Sequence, residues 1–161
     1  MTLNPYAGFL GQRDPIASAA ETPARLAALV ERLGAAGLER STAPGKWTVR
    51  QILGHLADCE IAFGFRFRQT LAEPGHTIQP FDQDLWAQAN SSFPAAQALE
   101  VFTALRNWNL TLLRGAPADA FSKPVTHPER GTMTLRILVE TMAGHDLNHL
   151  QQIEKIAAQG A

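Results

Sequence analysis

The stretch Thr48–Leu71, TVRQILGHLADCEIAFGFRFRQTL, decides the fold. Thr48 and Gln51 stand three apart and fit a capping box, in which each side chain satisfies a free backbone amide at a helix start. Beyond them Ile52, Leu53, Leu56, Cys59, Phe63 and Phe67 recur at three-and-four spacing. The spacing predicts a helix from about Val49 to about Leu71 with an apolar stripe wide enough for a bundle interior.

Working outward, three more segments carry the same period. Asp14-Pro15 reads as an N-cap followed by proline at the first helical position, and Thr22-Pro23 repeats the signal, so the first helix is expected to kink or restart near Pro23. Leu26, Leu29, Val30 and Leu33 continue it to a stop at Gly37. Ser92 with Pro94 opens the third helix, through Leu99, Phe102, Leu105, Trp108 and Leu112 to Gly115. Thr134 caps the last, with Leu135, Leu138, Val139, Met142, Ile153 and Ile156 on one side. Strand signals are nearly absent. The expectation is an all-α, four-helix bundle occupying residues 1–161 as one domain. The link between the second and third helices is about twenty residues, and at roughly 3.3 Å per extended residue it can cross a ~36 Å helix, so those two helices can run parallel. It carries Phe81 and Trp86 and has the length of a lid.

At 161 residues, 45% hydrophobic and 18% charged, the chain has the composition of a globular protein rather than a disordered one. Fourteen Lys and Arg against fifteen Asp and Glu offer no excess of positive charge to a nucleic acid. The single cysteine, Cys59, excludes an internal disulfide and suits a reducing compartment. No apolar run approaches the length of a membrane span and the start lacks the pattern of a signal peptide. A cytoplasmic protein with no nucleic-acid or membrane partner is expected.

The last helix contains GHDLNHLQQI, Gly144–Ile153. Its interior line runs Leu138, Met142, His145, His149, Gln152, Ile156, which places two imidazoles on the core-facing stripe. In the second helix the line Ile52, His55, Cys59, Ala62 turns His55 inward too. If those helices are antiparallel, the three rings meet near one height. A core cannot satisfy three imidazoles, whereas one divalent cation satisfies all of them. Asp58 is placed to orient His55, and Cys59 is either a fourth ligand, a nucleophile or simple packing. Asp146, turned about 100° from His145, faces solvent or another helix, and the ordinary reading of both acids is surface ion pairing. His76 and His127 sit in irregular segments as exposed loop histidines, either of which could swing in to carry protons.

PGKWTVRQILGHLADCE, the HPERG turn and GHDLNHLQQIEKI together resemble the DinB-like superfamily of DinB/YfiT-like metalloenzymes, over almost the whole chain. The resemblance implies an up-down-down-up bundle with a long crossover between helices two and three. It also implies a divalent metal held by His55, His145 and His149, with Asn148 standing where many relatives carry another histidine. It further implies a transferase or isomerase that uses a low-molecular-weight thiol such as bacillithiol, mycothiol or glutathione.

Three neutral histidines leave coordination positions open, as in catalytic rather than structural zinc-type sites. The leading expectation is therefore a transferase in which the metal activates the thiol against an electrophilic small molecule, with Trp86 and the loop from Phe81 forming part of the pocket. Zinc or nickel is favoured, with iron or manganese as alternatives. The rival is a non-catalytic metal-binding stress-response bundle. A hydrolase that activates water would need a general base from Asp58, Glu60 or a loop histidine. A homodimer is expected, since bundles with apolar outer faces commonly pair.

Overall fold

The computed structural model describes residues 2–73, 75–89 and 92–159. Its elements in chain order are α1 (Ala7–Leu10), α2 (Pro15–Leu38), α3 (Val49–Ala72), α4 (Gln83–Ala89), α5 (Ala95–Gly115), a 3₁₀ turn (Ala118–Ser122), β1 (Pro124–His127), β2 (Gly131–Thr134) and α6 (Leu135–Ala158). The four long helices are the predicted ones. Pro74, Asn90 and Ser91 of the crossover lie outside the described residues.

The expected caps form at three of the four helix starts. Asp14 accepts from the Ala17 amide at 2.7 Å, Thr48 and Gln51 close the capping box at 3.3 and 2.9 Å, and Thr134 accepts from Ile137 at 3.4 Å. At α5 the cap position is Pro94, with no side-chain hydrogen bond, rather than Ser92.

The expected break at Pro23 does not occur. Proline lacks the amide that would have bonded the Ala19 carbonyl one turn back, but that carbonyl accepts from Arg106 Nη1 of α5 at 2.8 Å. With the orphaned acceptor satisfied by a neighbouring helix, α2 runs on through Pro23. Its backbone leaves the helical region instead at Gly34, with φ 59° and ψ 179°, a conformation essentially reserved for glycine.

Directions follow from pairs of contacts. Glu60 meets Arg106 and Arg68 meets Asn109, so α3 and α5 run parallel. Thr22 meets Asp146 and Arg25 meets Glu154, so α2 and α6 run parallel. His55 near the start of α3 meets His145 and His149 around the middle of α6, while Leu71 at the far end of α3 accepts from Lys123, whose carbonyl binds the Leu135 amide at the start of α6. α3 and α6 are thus antiparallel, and the winding is up-down-down-up. Each long helix packs on two others in the ring α2, α6, α3, α5, whereas α2 and α3, consecutive in sequence, barely touch.

Two features went unread in the sequence. The crossover contains the short helix α4, which packs on α3. The segment before α6 is an antiparallel hairpin, with Val125 paired to Met133 and His127 to Gly131, both Val125 and Met133 being buried against the bundle. Four-residue strands, one opening on proline, are too short to show an alternation that stands out from loop.

Candidate metal centre

The antiparallel pairing of α3 and α6 brings the three histidines together. His55 Nε2 lies 3.0 Å from His145 Nε2, which lies 3.1 Å from His149 Nε2. Donors around one cation at about 2.0–2.1 Å are about 2.9 Å apart at a right angle and about 3.4 Å apart at the tetrahedral angle. The observed spacings fall within that range. The donor atoms of His55, Cys59 and His145 all lie within 4.8 Å of one another, with Cys59 Sγ 3.5 Å from His55 Nε2 and 4.0 Å from His145 Nε2.

The electrostatics suit a cation. Burial holds all three imidazoles below their ordinary pKa: His55 falls to about 3, helped by His149, and His145 falls well below the usual imidazole range, while at His149 the bond to Gln152 and the nearby Asp146 oppose the shift. All three are neutral at pH 7, with lone pairs free to ligate. The Gln152 carbonyl accepts from His149 Nδ1 at 3.0 Å, which leaves His149 Nε2 as the lone-pair nitrogen facing its neighbours. Burial, and then the carboxylates Asp146, Glu60 and Asp58, push the Cys59 thiol far up, so that without a metal it stays protonated. His145 Nδ1 is buried without a protein partner.

Two aromatic residues roof the cluster. Trp47 lies 4.7 Å from the His55 ring and, at 6.4 Å and 15°, nearly parallel to His149. Tyr6 stands edge-on to His145 at 5.1 Å. Gly144 makes that approach possible, since a Cβ there would sit 2.5 Å from the Tyr6 carbonyl oxygen.

Above the cluster opens a cavity of about 320 Å³, with His55, Cys59 and His145 on its floor and Tyr6, Arg66, Phe81, His127 and Arg130 among its walls. A second cleft of about 580 Å³ reaches His149, Gln152 and Trp47, and Tyr6 and Gln83 line both. The crossover thus covers the site through Phe81 and Gln83.

The remaining expectations divide. Gln152 fixes the His149 ring through its Nδ1 hydrogen bond. Asp58 is buried on α3, where its charge acts on Cys59. Trp86 is not on the wall of the histidine cavity: it packs behind Phe81 at 4.6 Å and, with Ile61 and Phe65, lines a separate apolar cleft. From that loop it is Pro80, Phe81 and Gln83 that reach the site. His127 lines the cavity, whereas His76 binds the Glu73 carbonyl at 3.1 Å.

Asp146 and Glu60 correct the sequence reading most. Neither is a surface or site acid. Arg106, fully buried, binds Glu60 at 2.6 Å and Asp146 at 2.5 Å, with Asn109 donating to Glu60 at 3.0 Å and Thr22 to Asp146 at 3.2 Å. Glu60 is therefore engaged between helices and is no candidate for a general base. Sequence reasoning missed Tyr6, Arg66, Arg106 and Arg130. The only available signal was Arg106 itself, which follows Phe102 by four and so shares its inward face.

Comparison with known proteins agrees with this architecture. YfiT from Bacillus subtilis, described as a probable metal-dependent hydrolase with an unusual four-helix bundle topology, superposes with a TM-score of 0.84 at 26% identity, over 90% of this chain and 85% of that one. A Bacillus pumilus protein named "Putative metal-dependent hydrolase" is 32% identical over 139 residues, covering 85% of this chain and 79% of its own. A Bacillus cereus protein of the same description is 27% identical over 137 residues, 84% and 79%. The DinB superfamily pattern matches residues 19–153, spanning α3, most of α6 and every histidine of the cluster. This chain, whose second and fourth long helices bring their imidazoles together beneath the crossover, belongs to the DinB superfamily.

Proposed function

We propose that this protein is a metal-dependent enzyme whose divalent cation is held by His55, His145 and His149, and which transfers a low-molecular-weight thiol onto an electrophilic small molecule. The observation that carries the reading is the convergence of three neutral imidazole nitrogens, with His55 and His145 on the floor of one open cavity and His149 on the adjoining cleft. Zinc or nickel suits this donor set best, with iron or manganese as alternatives. A cation bound there supplies Lewis acidity, which lowers the pKa of a thiol entering its free position.

The chain's own residues do the rest. Gln152 fixes the His149 ring, Trp47 and Tyr6 shield the cluster from water, and Phe63 and Phe81 give the cavity an apolar wall. His127 is held below its ordinary pKa by partial burial and by Arg130 and Arg66, so it is neutral at pH 7 and able to accept a proton.

That same His127 favours a second reading, hydrolysis, the activity for which the Bacillus relatives are named. One assay separates them. Zinc- or nickel-loaded protein is given a generic electrophile with several thiols, and in parallel esters and amides without thiol. Thiol-dependent turnover that disappears in His149→Ala supports the transferase; turnover of esters or amides alone supports the hydrolase. No turnover in either arm, with a bundle that unfolds on chelation, leaves the non-catalytic metal-binding role.

Pairing of two copies belongs to the same proposal. Ile61 and Phe65 are 50% and 60% exposed on α3 beside Trp86, an apolar cleft that a second copy would cover. Light scattering should give a dimer mass for the native protein and a monomer mass for Phe65→Asp.

A further inference from the structure

Arg66 and Arg130 differ from the paired arginines of this molecule. Arg25, Arg50 and Arg106 each hold a carboxylate at 2.8 Å or less. Among the described residues no carboxylate lies within ion-pairing distance of Arg66 or Arg130. Both line the cavity that has His55 and His145 on its floor, yet they come from distant parts of the chain, Arg66 from the C-terminal third of α3 and Arg130 from the turn between β1 and β2.

Arg66 is held in place without being neutralised. Its guanidinium sits 5.7 Å from the Phe63 ring and 5.8 Å from Phe81, and donates one hydrogen bond, at 3.3 Å, to the Gln79 carbonyl. The other N–H groups remain available. The positive field reaches the cavity's other groups: Arg130 acts on Tyr6, Arg66 acts on Cys59, and each acts on His127. The only carboxylate on the lining is Glu129, exposed at the rim. Two half-buried guanidiniums on the wall of one cavity, neither paired with a carboxylate among the described residues, form a focused site for an anion in a chain whose formal net charge is -1.

We propose that the substrate or cosubstrate of this cavity carries a carboxylate or phosphate group, bound by Arg66 and Arg130 while its reacting end faces the histidines. The inference rests on the thiol-transfer reading only for what the reacting end is. It makes Arg66 and Arg130 specificity determinants, placed so that an anionic molecule is oriented before reaction.

Calorimetric titration of the zinc-loaded protein tests this with two matched pairs, N-acetylcysteine against its amide and N-acetylalanine against its amide. The carboxylate member should bind at least about tenfold more tightly, as expected for charge-assisted hydrogen bonds, and added salt should narrow the gap. Arg66→Gln should reduce the carboxylate to the affinity of the amide. Arg130→Gln, in a surface turn where the fold is not at risk, should do the same. Equal binding within both pairs, or a preference that survives both variants, overturns the inference. If N-acetylcysteine binds no better than N-acetylalanine, thiol activation fails by itself, and the N-acetylalanine pair still decides whether the arginines recognise an anion.

Discussion

His55, His145 and His149 are neutral at pH 7 because burial removes the water that would stabilise their charge. Each would accept a proton near pH 6.5 in the unfolded chain, but His55 does so only at about 3 in the folded one. Between those values the unfolded state binds more protons, so acid favours unfolding. Metal-free protein should hold its full stability above pH ~6.5 and lose about 1.4 kcal/mol per pH unit for each histidine that stays neutral on the way down. Urea titrations across that range check it, and a flat profile would mean that the rings are solvated. Inward placement of these residues was legible because it needs only helical period. Tyr6, Arg66 and Arg130 were not, because each reaches the cavity from a segment whose position is set by packing: an N-terminal turn, the C-terminal third of α3 and a hairpin.

At the scale of elements, α2 shows how context overrides a local rule. Pro23 should interrupt a helix, yet its missing hydrogen bond is replaced by one from Arg106. No pattern within α2 announces that donor. The contact between the N-terminal segment and α6 depends on Gly144, where a Cβ would meet backbone oxygen at 2.5 Å and side-chain rotation could not relieve the clash. Gly144→Ala should therefore lift Tyr6 from His145 while leaving the long helices packed. Hydrogen exchange should show residues 4–10 losing protection with α3 and α5 unchanged, and an unaltered N-terminal segment would refute the contact's importance. The caps of α2, α3 and α6 were readable in advance because a cap involves residues only three apart.

Across the whole molecule, Arg106 ties four elements together: it binds α2 through Ala19, α3 through Glu60 and α6 through Asp146, from its own place on α5. Removing the one cation leaves two carboxylates facing each other in the interior. Arg106→Leu should cost about 3–5 kcal/mol by urea denaturation, and the loss should be smaller in acid, where protonation neutralises the stranded carboxylates. Glu60 already has its pKa raised by burial, with Arg106 opposing the rise, so removing Arg106 moves it further up. A loss below about 1 kcal/mol at neutral pH would show that water relaxes the network.

The four long helices, most of their caps and the inward face of the three histidines are legible in the chain's order of residues, because period, caps and breakers act over a few residues of one segment. That order also carried the family pattern, through which the winding and the cluster were expected. The packed bundle, by contrast, is what sets Trp86 behind Phe81, ties Glu60 and Asp146 to Arg106 away from chemistry, and brings Arg66 and Arg130 to one cavity above the cluster. Those outcomes depend on which faces of separate helices meet. Burial, pairing and pKa are properties of a side chain's neighbours in space, and residues 46 or 64 positions apart in sequence become neighbours only when the bundle closes.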